Sequence, residues 1–247
     1  MGHLASSGIS YRTVNLPRSA ISFQHHYINN KPIAEHLLIR TLLKAVRVSI
    51  PPSPKYTQLW DINSVLEFFT NWLDNSSLSL KQLSAKLTII LSLISCKKVS
   101  DVKALDLSNR MFTSQGVLFN IVQRTKTKLS SVEYPSFPIN PKLCVVLCLQ
   151  EYEKCTGAFR TSPAQLLISF VKPHPPVSSA TLARWVKWVM GLAGIDVSFW
   201  AHSAGGAMAS KAYWSGARLE DILKTADWSS DSPFFKNFLL QTDYKCG

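Results

Sequence analysis

The chain has 247 residues, 46% of them hydrophobic, enough for one large core plus a small additional piece, which excludes an intrinsically disordered chain. Its 27 Lys and Arg against 15 Asp and Glu leave a formal charge of +12, which favours a polyanionic partner through counterion release. Residues 1–61 carry seven basic and two acidic side chains and residues 62–247 carry 20 and 13, so no isolated basic tail accounts for the excess. Five cysteines cannot all pair within one chain and no secretory signal opens the sequence, so a reducing compartment, nucleus or cytoplasm, is expected. The most apolar run, residues 87–96, is about half the length a membrane span needs, and no transmembrane helix is expected.

In chain order, residues 11–23 and 33–48 read as helices, the second with Leu37, Leu38, Leu42 and Val46 at helical spacing. The run Ser49-Ile50-Pro51-Pro52-Ser53-Pro54-Lys55 cannot continue it, because proline lacks an amide donor and restricts the residue before it. The expected division is a helical segment 1–50, a linker 51–61 and a main domain 62–247. Asp61 is placed to cap a helix carrying Val65, Phe68, Phe69, Trp72 and Leu73. A second core helix, 78–96, puts Leu80, Leu83, Leu87, Ile90 and Ile94 on one stripe. Residues 118–122 and 132–137 are strand-like and flank a basic stretch at 124–130, as in a hairpin or three-stranded sheet with a basic tip. Pro141 opens a helix through Tyr152. Its Cys144 and Cys148 read as buried thiols, since no further cysteine or histidine stands at zinc-ligand spacing. Residues 165–170 fit a short buried strand, Ser178 caps a helix through Met190, and residues 201–240 supply two or three more helices. The fold class is mainly α, an α+β arrangement of helices around a small sheet.

Cutting a phosphodiester needs an in-line nucleophile, donors for the non-bridging oxygens and an acid for the departing 5′ oxygen. Five blocks have that outline: Lys97-Lys98-Val99-Ser100-Asp101, Gln123-Arg124-Thr125-Lys126-Thr127, Ala201-His202-Ser203-Ala204-Gly205-Gly206-Ala207, Ala226-Asp227-Trp228-Ser229-Ser230 and Phe234-Phe235-Lys236-Asn237-Phe238. Together they resemble the tyrosine recombinase (integrase) family. The likeness is greatest to recombinases of DIRS-like mobile elements, whose C-terminal blocks read much like His-Ser-Thr-Arg-Gly-Ala, Ala-Asp-Trp-Ser-Ser and Phe-x-Lys-Phe-Tyr. The resemblance implies an integrase-like catalytic domain over 62–247, with helices around a small antiparallel β-sheet, behind a truncated helical core-binding segment. It also implies double-stranded DNA as partner and no metal or nucleotide cofactor, since the phosphotyrosine conserves the bond energy.

By the same resemblance, Lys98 stands at the family's first arginine and Lys126 at the hairpin lysine that acts as general acid. His202 stands at the histidine of the His-x-x-Arg motif and Gly205 at its arginine. Trp228 is at the position where His or Trp donates to the phosphate, and Phe238 at the nucleophilic tyrosine. Lys98 keeps a charge but loses the planar fork that holds phosphate bidentately. Gly205 has no side chain to donate, and Phe238 lacks the phenolic oxygen, so the covalent intermediate cannot form there. The expected result is a catalytically inactive family member, a decayed mobile-element gene or a domain kept for binding. Its DNA contacts would come from Lys97, Lys98, Arg124, Lys126, Lys128, His202 and Lys211. Tyr244 lies sixteen residues beyond Trp228, where the family position lies ten beyond, and makes a poor substitute nucleophile. A stable homo-oligomer on DNA is not expected, because only seven residues follow Leu240, where active relatives carry a helix that docks into a neighbouring subunit.

Two other classes match parts of the sequence. The run 201–205 is also a relaxed Gly-x-Ser-x-Gly elbow, which would make Ser203 the nucleophile of an α/β-hydrolase esterase. A triad in that fold runs Ser, acid, His, and none of His3, His25, His26, His36, His174 and His202 follows Ser203. The third class is a helical protein-interaction module with incidental charge, which salt-dependent retention on DNA separates from a phosphate binder.

Overall fold

The computed structural model describes residues 11–25, 27–49, 59–121, 130–160 and 164–228. The chain divides into two compact units, Met1–Lys55 and Tyr56–Gly247. Much of the expected linker, residues 50–58, lies outside the described residues.

In the first unit, α1 (Tyr11–Gln24) and α2 (Leu37–Ser49) flank a 3-10 turn, Ile33–Glu35, whose Ala34 amide donates to Ser22 Oγ at 3.3 Å. His36 is extended, so α2 starts at Leu37 and not at the expected residue 33. That start sets the inward face: Leu43 and Val46 are buried and Ile39 and Leu42 half-buried, at i, i+3, i+4, i+7 spacing. Leu37 and Leu38, placed on the stripe by sequence, are 73% and 71% exposed.

The second unit is built around one helix. Its elements are α3 (Ile62–Asn71), α4 (Leu80–Ser95), α5 (Val99–Lys103), β1 (Arg110–Phe112), β2 (Gly116–Ile121), β3 (Ser130–Pro135), α6 (Val145–Thr156), α7 (Ser179–Leu192), α8 (Ser203–Trp214) and α9 (Leu219–Ala226). Asp61 Oδ1 accepts from the Asn63 amide at 2.9 Å and starts α3, which buries Ile62, Val65 and Phe69. The helix stops at Asn71, and Leu73, counted among the core residues from sequence, is exposed.

α4 begins in a reciprocal cap: Ser79 Oγ accepts from the Gln82 amide at 3.4 Å, and Gln82 Oε1 accepts from the Ser79 amide at 2.9 Å. Residues 83–93 are buried on every side, not along one stripe, because α6, α7 and α8 all pack on this helix. The polar residues of α4 are accommodated by bonding backward along it. The hydroxyls of Ser84, Thr88, Ser92 and Ser95 donate to the carbonyls of Leu80, Ser84, Thr88 and Leu91 at 2.6–2.9 Å. Lys86 is wholly buried, donates to Asn75 Oδ1 at 2.8 Å and lies 5.4 Å from the Phe69 ring centre. Burial pulls its ammonium below the usual lysine range.

The sheet runs β1-β2-β3, antiparallel throughout, with Phe119 opposite Val132 and Val117 opposite Tyr134. Alternation along β2 buries Val117, Phe119 and Ile121 on one face, and the Phe119 and Tyr134 rings meet edge to face at 5.9 Å. α6 starts at Val145, four residues after Pro141, which sits in a turn instead of opening the helix. Residues 166–168 are buried, and in place of the expected strand Gln165 and Ile168 form isolated bridges with Asp106 and Pro176. Ser178 Oγ accepts from the Thr181 amide at 3.2 Å and caps α7.

Candidate nucleic-acid interface

The site begins where α4 ends. Cys96 closes that helix in the left-handed region, at φ 52, and its buried thiol is pushed up to about 12 by desolvation. The turn then sends two adjacent lysines in opposite directions. Lys98 is exposed at the start of α5, with its amide donating to Asp101 Oδ2 at 3.2 Å. Lys97 points inward: its side chain is 5% exposed and its Nζ lies 3.9 Å from Asp227 Oδ2. Lys97, expected among the DNA contacts, thus has its ammonium turned toward a carboxylate.

The segment leading into α8 is fixed from several sides. Asp196 Oδ1 accepts from the Ser198 amide at 2.7 Å, and Lys187 of α7 donates to the carbonyls of Val197 and Phe199. His202 is exposed immediately before α8. Ser203 is wholly buried; its hydroxyl donates to the Trp200 carbonyl at 2.7 Å and accepts from Trp60 Nε1 at 2.9 Å. A serine so enclosed is no esterase nucleophile, and among the described residues the sheet is antiparallel, not the parallel sheet a hydrolase elbow needs. Gly205, one turn further on, faces the end of α4. A Cβ there would lie 2.6 Å from the Cys96 carbonyl oxygen, 2.7 Å from its carbon and 3.1 Å from the Lys97 oxygen.

α9 closes the arrangement. It ends at Asp227, in the left-handed region at φ 54, and the next amide, that of Trp228, donates to the Leu223 carbonyl at 2.9 Å. Trp228 packs against a small cluster formed by Cys96, Ala209, Ile222 and Ala226. The segments bearing Lys98, Gly205 and Trp228 are thus in mutual contact, with His202 at the head of the same α8. Lys211 does not share that surface freely, since its Nζ donates to Asn63 Oδ1 at 2.7 Å and is tied back to α3. Arg124, Lys126, Lys128, Phe238 and Tyr244 lie outside the described residues; Ile121 and Ser130, which bracket the three basic residues in sequence, are paired across β2 and β3.

Several solved structures share this arrangement of elements. The XerH site-specific recombinase bound to its palindromic difH substrate after cleavage aligns with a TM-score of 0.62 at 14% identity over 93% of this chain. The Tn1549 transposon integrase in complex with transposon right-end DNA aligns at 0.61, 14% identity and 97%, and the XerA recombinase at 0.57, 13% and 96%. The fold is that of the tyrosine recombinases. This chain spans 64% of the XerH chain, 78% of the Tn1549 integrase and 80% of XerA. No family model matches the sequence, and no curated protein does either. In the recombinase-type fold of this chain, the helix bearing His202 and Gly205 abuts the turn bearing Lys98.

Three contributors to the site went unseen in the sequence. Trp60 lies within the expected linker, Asp227 stands in sequence only as a neighbour of Trp228, and Lys187 has no local signal, because its partners are carbonyls reached through the tertiary fold. Among the described residues, no group of three or more His, Cys, Asp or Glu is placed to hold a metal ion, and no helix is long and apolar enough to cross a membrane.

Proposed function

We propose that this chain is a DNA-binding member of the tyrosine recombinase family, descended from a mobile-element recombinase of the DIRS-like kind, that holds duplex DNA without cutting it. The observation that carries this reading is the convergence of the Cys96–Lys98 turn, the head of α8 and Trp228 within a recombinase-type fold. Lys98 supplies an exposed point charge, His202 an imidazole donor and Trp228 an indole packed near the Cys96 turn. In this reading Arg124, Lys126 and Lys128 add their charges as further phosphate contacts. A +12 chain supports the polyanionic partner and its salt sensitivity.

Inactivity follows from chemistry at two positions. Phe238 has no oxygen to attack phosphorus, so no phosphotyrosine forms. Gly205 cannot donate to a non-bridging oxygen, and losing one transition-state donor of this kind costs about 3 kcal/mol. Lys98 attracts a phosphate but does not fix its orientation as a bidentate guanidinium would. A compartment that holds DNA, with the protein acting in the nucleus or passing through the cytoplasm, fits this role.

The test uses a nicked duplex that traps covalent recombinase intermediates. The chain is expected to retain the duplex in native gels and to leave no protein–DNA adduct after denaturation. An adduct from the unmodified chain would overturn the inactive assignment, and failure to retain any duplex at low salt would overturn DNA binding.

A further inference from the structure

Gly205 sits where the resembling family carries an arginine, yet its surroundings are not a vacant arginine site. The Cα of Gly205 faces main chain: a Cβ would approach the Cys96 carbonyl oxygen to 2.6 Å and its carbon to 2.7 Å, closer than real Cβ contacts come. The obstructing atoms are backbone of a helix terminus and cannot swing aside as the tip of a side chain could. Cys96 is itself held in the left-handed region, at φ 52, with its amide donating to the Leu93 carbonyl at 3.2 Å. On the far side of the same turn, Lys97 is buried against Asp227 and the Lys98 amide is bonded to Asp101.

We infer that Gly205 is a positioning residue: by letting α8 close on the Cys96–Lys97 turn it fixes the point from which Lys98 projects, and it excludes the arginine whose loss it marks. The former arginine position is therefore filled by main chain, and restoring arginine there requires opening the turn. The link to Lys98 as a phosphate contact rests on the DNA-binding reading above; the steric pairing of 205 with 96 does not.

The deciding sign is that of Gly205→Ala. Inside a helix, glycine to alanine ordinarily stabilises. Here it is expected to lower Tm by roughly 3 °C or more, and Cys96→Gly, which frees the turn, is expected to return part of that loss. An unchanged or raised Tm for Gly205→Ala, or strictly additive effects of the two substitutions, would overturn the pairing. For function, duplex affinity is compared for Lys98→Ala in the parent and in Gly205→Ala. The loss caused by Lys98→Ala is expected to shrink in the Gly205→Ala background, and an equal loss in both would overturn the positioning role. A Gly205→Arg plus Phe238→Tyr variant that folds with the parent's Tm and traps an adduct would overturn the exclusion of arginine. If the parent binds no DNA, the proposed function falls while the Tm cycle still decides the steric pairing.

Discussion

Trp60 Nε1 donates to Ser203 Oγ at 2.9 Å, joining the residue before the α3 cap to the first residue of α8 across 143 positions of sequence. Both partners are buried, and the Ser203 hydroxyl passes the bond on to the Trp200 carbonyl at 2.7 Å. The bond anchors the head of α8, and with it His202, to the core.

Ser203→Ala leaves the Trp60 indole N–H without its acceptor in a buried setting, at a cost of about 1–3 kcal/mol. Denaturant unfolding of the variant checks this. Ester hydrolysis stays at background in parent and variant alike; a serine-dependent esterase signal would contradict the structural role of Ser203.

The Lys97–Asp227 pair is asymmetric, with an ammonium almost wholly buried and a carboxylate half exposed. Asp227→Asn keeps a residue type that tolerates the left-handed backbone but leaves the buried charge without its counterion. A loss of about 1–3 kcal/mol is expected. Lys97→Met removes the charge together with its need for a partner and is expected to cost less. Equal losses, or the reverse order, would show that the pair is not what stabilises this turn.

Lys86 gives a pH signature. Its pKa is lowered on folding, by desolvation first and by Lys142 nearby, while Cys148 and Asp74 act in the opposite sense. Between that lowered value and the ordinary 10.5, the unfolded chain binds more protons than the folded one, so stability rises with pH across the window. Below it, the cost of burying the charge is present in full. Lys86→Met is therefore expected to be neutral or stabilising at pH 7, despite the lost bond to Asn75, and to lack the rise toward alkaline pH. Parallel Tm–pH curves for parent and variant would contradict this.

Helix existence was legible wherever a cap met a hydrophobic period, as at Asp61 and Ser178. Periodicity alone misplaced the inward face of α2, because an extended His36 resets the helix start, and it read α4 as one stripe when three helices surround it. The backward-bonding hydroxyls of Ser84, Thr88, Ser92 and Ser95 explain the failure: a helix can be buried all round although seven of its sixteen residues are polar. Within the candidate site, residue type singles out Lys98, His202 and Trp228 only through the family resemblance. It could not separate Lys98 from Lys97, since only the tertiary placement of Asp227 decides which lysine turns inward. Nor could it show that Gly205 faces the Cys96 carbonyl at a distance no Cβ tolerates, which depends on how closely α8 approaches the end of α4.

If phosphate contacts from this site carry DNA binding, the slope of duplex affinity against salt must report them. The parent is expected to show log K falling linearly with log salt. Lys98→Ala should reduce that slope by roughly 0.9, one phosphate contact, while Lys211→Ala, whose partner is Asn63, should leave it unchanged. A slope near zero, or one that Lys98→Ala does not alter, would contradict the account and favour a protein-binding surface instead.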